Sequence, residues 1–380
     1  MNTQTHSVTD QAYPTTRQRG RLAGSWFRIV WAITAKDLWD ALKNKNTLAI
    51  LATVMLMVAF YKYLPVLAAG ARPTYLLVYD PGQSSLSIDL EAGGVFKAVS
   101  YRTYDLMITK LTEGDTPELG VVIPADYDAI VAAGGVPELD GYVMRWVSPP
   151  EAAGLKRALE AHILELTGVP AQVRLAAEPV QLRPDSKGYN VTPALALMFS
   201  LIMIGITFVP HLMIEEKRTK TLDALLVSPA GPGQVTAAKA LTGLLYGLLT
   251  AAVVFAFFAN LIVQWPLAAL VAAAGALFTV SVGLVLGTLV ENRQQLMIWA
   301  WVAVLPVLAP AIIILLEELM PAGVVAVSRW LPAAAIFQMF SVACTDQGAF
   351  LLWGPWLGLL LLWTAPFLAA VVWLVRRADW

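Results

Sequence analysis

The chain has 380 residues, of which 58% are hydrophobic and only 14% charged, and its formal net charge is −1. This composition is too apolar for a soluble core and predicts an integral membrane protein, while the near-neutral charge gives no support to nucleic-acid binding. With Cys344 as the one cysteine, an intrachain disulfide is excluded.

Six segments are apolar enough to cross a bilayer, which takes roughly 20 residues as a helix. They are 47–69, 192–214, 237–263, 266–290, 295–316 and 349–375. Because lipid cannot satisfy an exposed backbone, helices are the only spanning form that this pattern allows. We therefore predict an α-helical polytopic membrane protein with six transmembrane helices.

The segment 1–46 precedes the first span and is rich in basic residues, which favours the cytoplasmic side. An even number of spans returns the C-terminus, with Arg376 and Arg377, to that side. No apolar signal core appears in the first 25 residues, so the first span is expected to be the membrane anchor. From Trp26 the segment is patterned as an interfacial amphipathic helix. Its predicted apolar side carries Trp26, Phe27, Val30, Trp31, Leu38 and Leu42, and its polar side Arg28, Lys36, Asp37, Asp40 and Lys43.

A segment of ordinary globular composition, 70–191, separates the first two spans and is predicted to form an extracytoplasmic α/β domain. Apolar runs bounded by turn residues predict strands at 75–79, 119–123 and 142–147. Helical spacing predicts helices at 126–133 and 150–166.

A charged stretch, 215–229, lies between the second and third spans on the predicted cytoplasmic side. Six of the nine residues from Glu215 to Asp223 are charged. Leu222, Leu225 and Leu226 share one helical face, and Pro229 ends the pattern. The stretch is either a solvated loop or a short helix that docks its leucine face on a partner.

The sequence contains no strong motif for metal binding, nucleotide binding or ion transport. His6, His162 and His211 are far apart in sequence and predict no metal site. The segment 231–239 superficially resembles a phosphate-binding loop, but Ala238 stands where the glycine before Lys239 is required. The spans hold almost no ionisable residue, so an ion-coupled carrier is not favoured.

The run from Glu216 to Pro229, Glu-Lys-Arg-Thr-Lys-Thr-Leu-Asp-Ala-Leu-Leu-Val-Ser-Pro, followed by Lys239, resembles the motif of type-two ABC exporter permeases. It departs from that motif at Lys220 and Ala238, where glycine is usual. The segment 31–45 resembles the family's entry helix. The segment 119–127 with Gly134-Gly135 is similar to the extracytoplasmic domain of its drug and sodium exporter branch. Arg329 to Pro332 and the apolar run after it resemble outward-facing re-entrant helices, expected at about 319–345.

The resemblance implies a permease subunit without enzymatic activity or cofactor of its own. It would pair with a second copy or a related permease, in the lipid of a prokaryotic cytoplasmic (inner) membrane. Separate ATP-binding cassette ATPase subunits would bind ATP and Mg. The residues implied for ATPase coupling are Glu215, Glu216, Lys217, Arg218, Thr221, Leu222, Asp223, Leu225, Leu226, Pro229 and Lys239. Those implied for the entry helix are Trp31, Lys36, Asp37 and Trp39.

Polar and helix-bending residues in the second and fifth spans are candidates for the transport pathway, or simply tolerated kinks. They are Ser200, Thr207, Pro210, Pro306 and Pro310. Glycine pairs four residues apart in the third and fourth spans favour close packing within one subunit over dimerisation. The substrate stays open between a drug, a lipid, a peptide and sodium. A non-transporting receptor or assembly scaffold is the alternative function.

Overall fold

A computed structural model describes residues 16–69, 74–92, 96–113, 118–183, 191–219 and 231–378. Most of these residues are helical. Within these described residues, five helices are long and apolar enough to cross a membrane, and the number rises to seven if each of two bent helix pairs counts as one span. The α-helical polytopic membrane fold is therefore confirmed, whereas the count of six spans stays a prediction.

Two helices form the N-terminal part of the described chain. Helix α1 (Thr16–Lys43) turns into α2 (Lys45–Ala69), which contains the predicted first span. The two helices bend by 75° at their junction. Such a bend fits a chain that runs along the membrane surface and then enters the bilayer.

Between α2 and the next long helix, the chain forms an α/β unit with a five-stranded sheet in the order β2-β1-β3-β4-β5. Its strands are β1 (Thr74–Tyr79), β2 (Phe96–Tyr101), β3 (Leu119–Val122), β4 (Glu138–Val143) and β5 (Gln172–Leu175). Its helices are α3 (Ser85–Ala92), α4 (Tyr104–Glu113), α5 (Tyr127–Ala132) and α6 (Pro149–Thr167). Only β3 and β4 pair antiparallel.

The strand predicted at 142–147 was misplaced, because β4 begins at Glu138 and ends at Val143. Val143 pairs with Leu119, the first residue of β3, so the partner strand ends there. The apolar residues Trp146 and Val147 are buried in the turn that leads into α6. Burial at a turn was mistaken for burial in a strand.

The remaining helices correspond to the other predicted spans and to the segment in which re-entrant helices were predicted. The second span is α7 (Val191–Ile202), a π-helical turn (Met203–Phe208) and α8 (Val209–Thr219). The third to fifth spans are α9 (Pro232–Phe257), α10 (Trp265–Leu289) and α11 (Arg293–Leu315). Two short helices, α12 (Ala322–Ser328) and α13 (Pro332–Ala343), meet at 80° before α14 (Phe350–Ala378), the last span.

Glycines let the second, third and fourth spans pack closely within the chain. A Cβ atom at Gly283 would overlap the backbone carbonyl of Gly205, and one at Gly243 would lie 2.5 Å from Val209 Cγ2. The π-helical turn falls in this contact region, just before Pro210. Pro210 has no N–H group to donate to the carbonyl four residues back, and directly before it Val209 donates to the carbonyl five residues back, that of Ile204. These contacts confirm that the glycine pairs serve packing inside the subunit.

Hydrogen bonds join the loop between α9 and α10, residues 258–264, to two other parts of the chain. Asn260 Nδ2 donates to the carbonyl of Trp146 in the α/β unit at 3.3 Å. Gln264 Nε2 donates to the carbonyl of Thr345 at 2.8 Å, and the backbone N–H of Val263 donates to that of Ala343 at 3.0 Å. The α/β unit and the end of α13 are thus both held at this connection.

Candidate functional site

Helix α1 presents one buried face and one exposed face. A buried stripe of Val30, Thr34, Asp37 and Ala41 follows helical spacing and packs against α9. Four residues of the predicted apolar side are exposed: Trp26, Phe27, Trp31 and Leu42. A helix in the membrane interface presents such an apolar face to lipid. Asp37 alone departs from the predicted polar side, because it is buried against a cation that lies two hundred residues away in sequence.

Asp37 and Lys239 form a buried ion pair between α1 and the first turns of α9. Lys239 Nζ donates to Asp37 Oδ2 at 2.7 Å. The two side chains are 5% and 2% exposed, respectively. Such burial is costly for charged groups unless they are paired and hydrogen-bonded, and the 2.7 Å contact pairs these two ions.

Two further hydrogen bonds flank the ion pair along the same contact. Thr34 Oγ1 donates to the carbonyl of Ala238 at 3.3 Å, and also to that of Val30 in its own helix at 2.9 Å. Tyr246 Oη donates to the carbonyl of Leu38 at 3.0 Å. The α1–α9 contact therefore has a polar link on either side of the charged one.

Tyr246 also links the α1–α9 contact to the second span. The Tyr246 ring packs edge-on against Phe208, the last residue of the π-helical turn, with ring centroids 4.9 Å apart. Both residues belong to one buried cluster with Ala41 of α1, Leu212 of α8, Leu284 of α10 and Val371 of α14. We call this set of residues the junction cluster.

Tyr246→Phe tests the polar part of this contact. The variant keeps the ring against Phe208 but removes the hydrogen bond to Leu38, so we expect it to lose about 0.5–1.5 kcal/mol of unfolding free energy. The measurement is the unfolding midpoint in detergent. A midpoint equal to that of the wild type would show that the hydroxyl contributes nothing.

The charged stretch falls between two segments that reach the junction cluster. The backbone of Glu215, Glu216, Lys217 and Arg218 belongs to α8, while their side chains lie outside the described part. Thr221, Leu222, Asp223, Leu225, Leu226 and Pro229 lie outside the described residues altogether. On the N-terminal side, Leu212 of α8 belongs to the junction cluster. On the C-terminal side, α9 begins at Pro232 and soon reaches Lys239 and Tyr246.

The other entry-helix candidates lie on the exposed faces of α1. Trp31 is 52% exposed. Lys36 pairs with Asp40 at 3.4 Å on the surface. Trp39 is exposed, and Lys43 Nζ lies 5.0 Å from the centre of its ring. These side chains can contact a partner or lipid, whereas Asp37 faces α9.

The five pathway candidates are not equivalent. Ser200 is fully buried and donates to the carbonyl of Ala196 in its own helix, while Thr207 is half-buried and Pro210 buried. In the fifth span Pro310 is buried and Pro306 exposed. Of the five, Pro306 lines an apolar cavity of about 250 Å³ among α10, α11, α13 and α14. A role for any of them in transport stays a prediction.

Sequence reasoning missed Thr34, Tyr246 and Phe208, and it assigned Asp37 and Lys239 to separate surfaces. One signal was present: Lys239 lies in an otherwise uncharged apolar helix, where a basic side chain requires a partner. The sequence did not show which acid meets it.

Residues 45–375, most of the chain, match the protein family described as ABC-2 family transporter protein. No curated protein matches the chain in sequence.

Proposed function

This chain belongs to the ABC-2 transporter family, and on that premise we propose that it exports its substrate from the cytoplasm, using ATP hydrolysis in separate subunits. A member of this family is a multi-pass membrane permease and a transport component that is not itself catalytic. Such permeases normally work with ATP-binding cassette ATPase subunits, which would bind the ATP and Mg²⁺.

The proposal includes the finer points of topology and assembly. The chain would cross a prokaryotic inner membrane six times, with both termini in the cytoplasm and the α/β unit outside. It would pair with a second copy or a related permease, and the pair would alternate between inward-open and outward-open states. Drugs, lipids, peptides and sodium remain candidate substrates.

The observation that supports this coupling best is the position of the charged stretch. The helices on both sides of it contribute to the junction cluster, α8 through Leu212 and α9 through Tyr246. A displacement of the stretch by an ATPase would act on α8, which continues into the π-helical turn beside Pro210. Bending at that turn would be a direct way to change the shape of the second span.

The variant Leu225→Asp plus Leu226→Asp tests the coupling. It places two carboxylates on the apolar face proposed to dock in the ATPase, so we expect loss of ATPase co-purification with the permease. The measurement is the ratio of ATPase to permease after affinity purification from cells that express both.

A matched control makes the same two substitutions away from that surface. Leu106→Asp plus Leu164→Asp alters two exposed leucines of the α/β unit, and the ATPase should still co-purify. Retention of the ATPase by the Leu225, Leu226 variant would refute the coupling. A stable complex whose vesicles show no ATP-dependent transport of any candidate substrate would favour the receptor or scaffold instead.

A further inference from the structure

The Asp37–Lys239 pair is buried although burying charged groups is energetically costly. Removing two charges from water costs several kcal/mol per ion, and apolar residues of similar volume often stabilise a protein as well or better. Stability alone therefore does not account for a pair that is 5% and 2% exposed. A buried polar pair can instead fix one register between two packed elements, because other registers leave its charges unpaired.

The geometry around the pair fits that role. On α1, Thr34, Asp37 and Leu38 contact α9 within little more than one helical turn. On α9, the matching groups are Ala238, Lys239 and Tyr246. A slide of α1 by one residue, about 1.5 Å, or a rotation about its axis would break all three contacts together.

The same register determines what the second span contacts. Tyr246 donates to α1 through its hydroxyl and packs against Phe208 through its ring. Ala41, one turn after Asp37, belongs to the junction cluster with Phe208. With the ion pair in place, α1 and α9 therefore pack together as one rigid unit against the π-helical turn.

We propose that Asp37 and Lys239 are positioning residues of the permease, which hold α1 in a single register on α9 so that movement of the charged stretch bends the second span. This inference rests on the proposed function. It gives both residues an internal role in place of direct contact with the ATPase. Without the pair, α1 would slide or rotate against α9. Part of the movement of the charged stretch would then displace α1 and would not bend the second span.

The test compares the permease–ATPase complex with one carrying Asp37→Leu plus Lys239→Met, in proteoliposomes with MgATP as the probe. This double variant removes both charges of the pair together, so it should fold and keep the ATPase. We expect kcat for ATP hydrolysis per complex to fall roughly tenfold, which lies within the range by which single residues modulate coupling between two sites. KM for ATP should stay within about twofold, because the nucleotide binds elsewhere.

Two companion variants sharpen the result. The charge swap Asp37→Lys plus Lys239→Asp restores an ion pair in the same place and should recover much of the lost kcat. Asp140→Leu plus Arg174→Met removes an ion pair of 2.8 Å that is exposed on the α/β unit, and kcat should not change.

The outcomes separate this inference from the proposed function. If no ATPase co-purifies with the wild-type permease, the proposed function fails. If the ATPase is retained but kcat of the apolar double variant stays within twofold or rises, the positioning role alone is overturned. A smaller yield of complex with unchanged kcat per complex would assign the pair a purely structural role and likewise overturn it.

Discussion

Lys239→Met is expected to lower the unfolding free energy of the protein by about 3–5 kcal/mol, the usual cost of breaking a buried ion pair from one side. The lysine is 2% exposed and donates to Asp37 at 2.7 Å. Its removal leaves the Asp37 carboxylate in a water-excluded contact without this cation. The measurement is the unfolding midpoint in mixed micelles titrated with SDS.

The apolar double variant is the control for this prediction. Asp37→Leu plus Lys239→Met removes both charges, so its stability should lie within about 1–2 kcal/mol of the wild type. The two variants share the lysine substitution, and the difference between them measures the isolated carboxylate. Equal losses in both would mean that packing, not charge, determines stability at this contact.

Gly283→Ala is expected to be the most damaging small substitution among the spans. The added Cβ would overlap the carbonyl oxygen of Gly205 and approach Pro210 Cδ to 3.2 Å. Backbone atoms of the second span cannot move aside as a flexible side chain can. We therefore expect a loss of about 3 kcal/mol, the upper end of the usual cost of overpacking, measured in the same titration.

Gly358→Ala provides the matched control in the last span. A Cβ at Gly358 meets no atom within 4 Å, and alanine favours a helix over glycine by up to about 1 kcal/mol. This variant should be as stable as the wild type or more so. If Gly283→Ala were equally harmless, the close contact between α10 and the π-helical turn would not exist in the membrane.

The sequence predicted the long helices well because a membrane span is encoded locally, by about twenty apolar residues in a row. Helix α10 begins at Trp265, one residue before the predicted span, whereas α9 begins at Pro232, five residues before the predicted 237. In the α/β unit, the strand at 75–79 and the helix at 150–166 were recovered nearly residue for residue. The edge strands β2 and β5 were missed because their burial pattern is set by the neighbours they pair with, which sequence order does not reveal.

The candidate site was predicted only in part, because it too depends on contacts between residues that are far apart in sequence. Lys239 and Asp37 were both selected, but as separate surface residues, since helical periodicity placed Asp37 among charges at solvent. What makes Asp37 an interior residue is a cation 202 positions later. The π-helical turn was equally invisible, although Pro210 indicated a bend near it.

The sequence separation of Asp37 and Lys239 also sets an order of events during biosynthesis. Helix α1 leaves the ribosome early, whereas Lys239 follows 202 residues later. At about 5–20 residues per second, this interval is roughly 10–40 s. During this interval α1 exists before Lys239 has been synthesised. The ion pair between α1 and α9 can therefore form only after the first turns of α9 have been made.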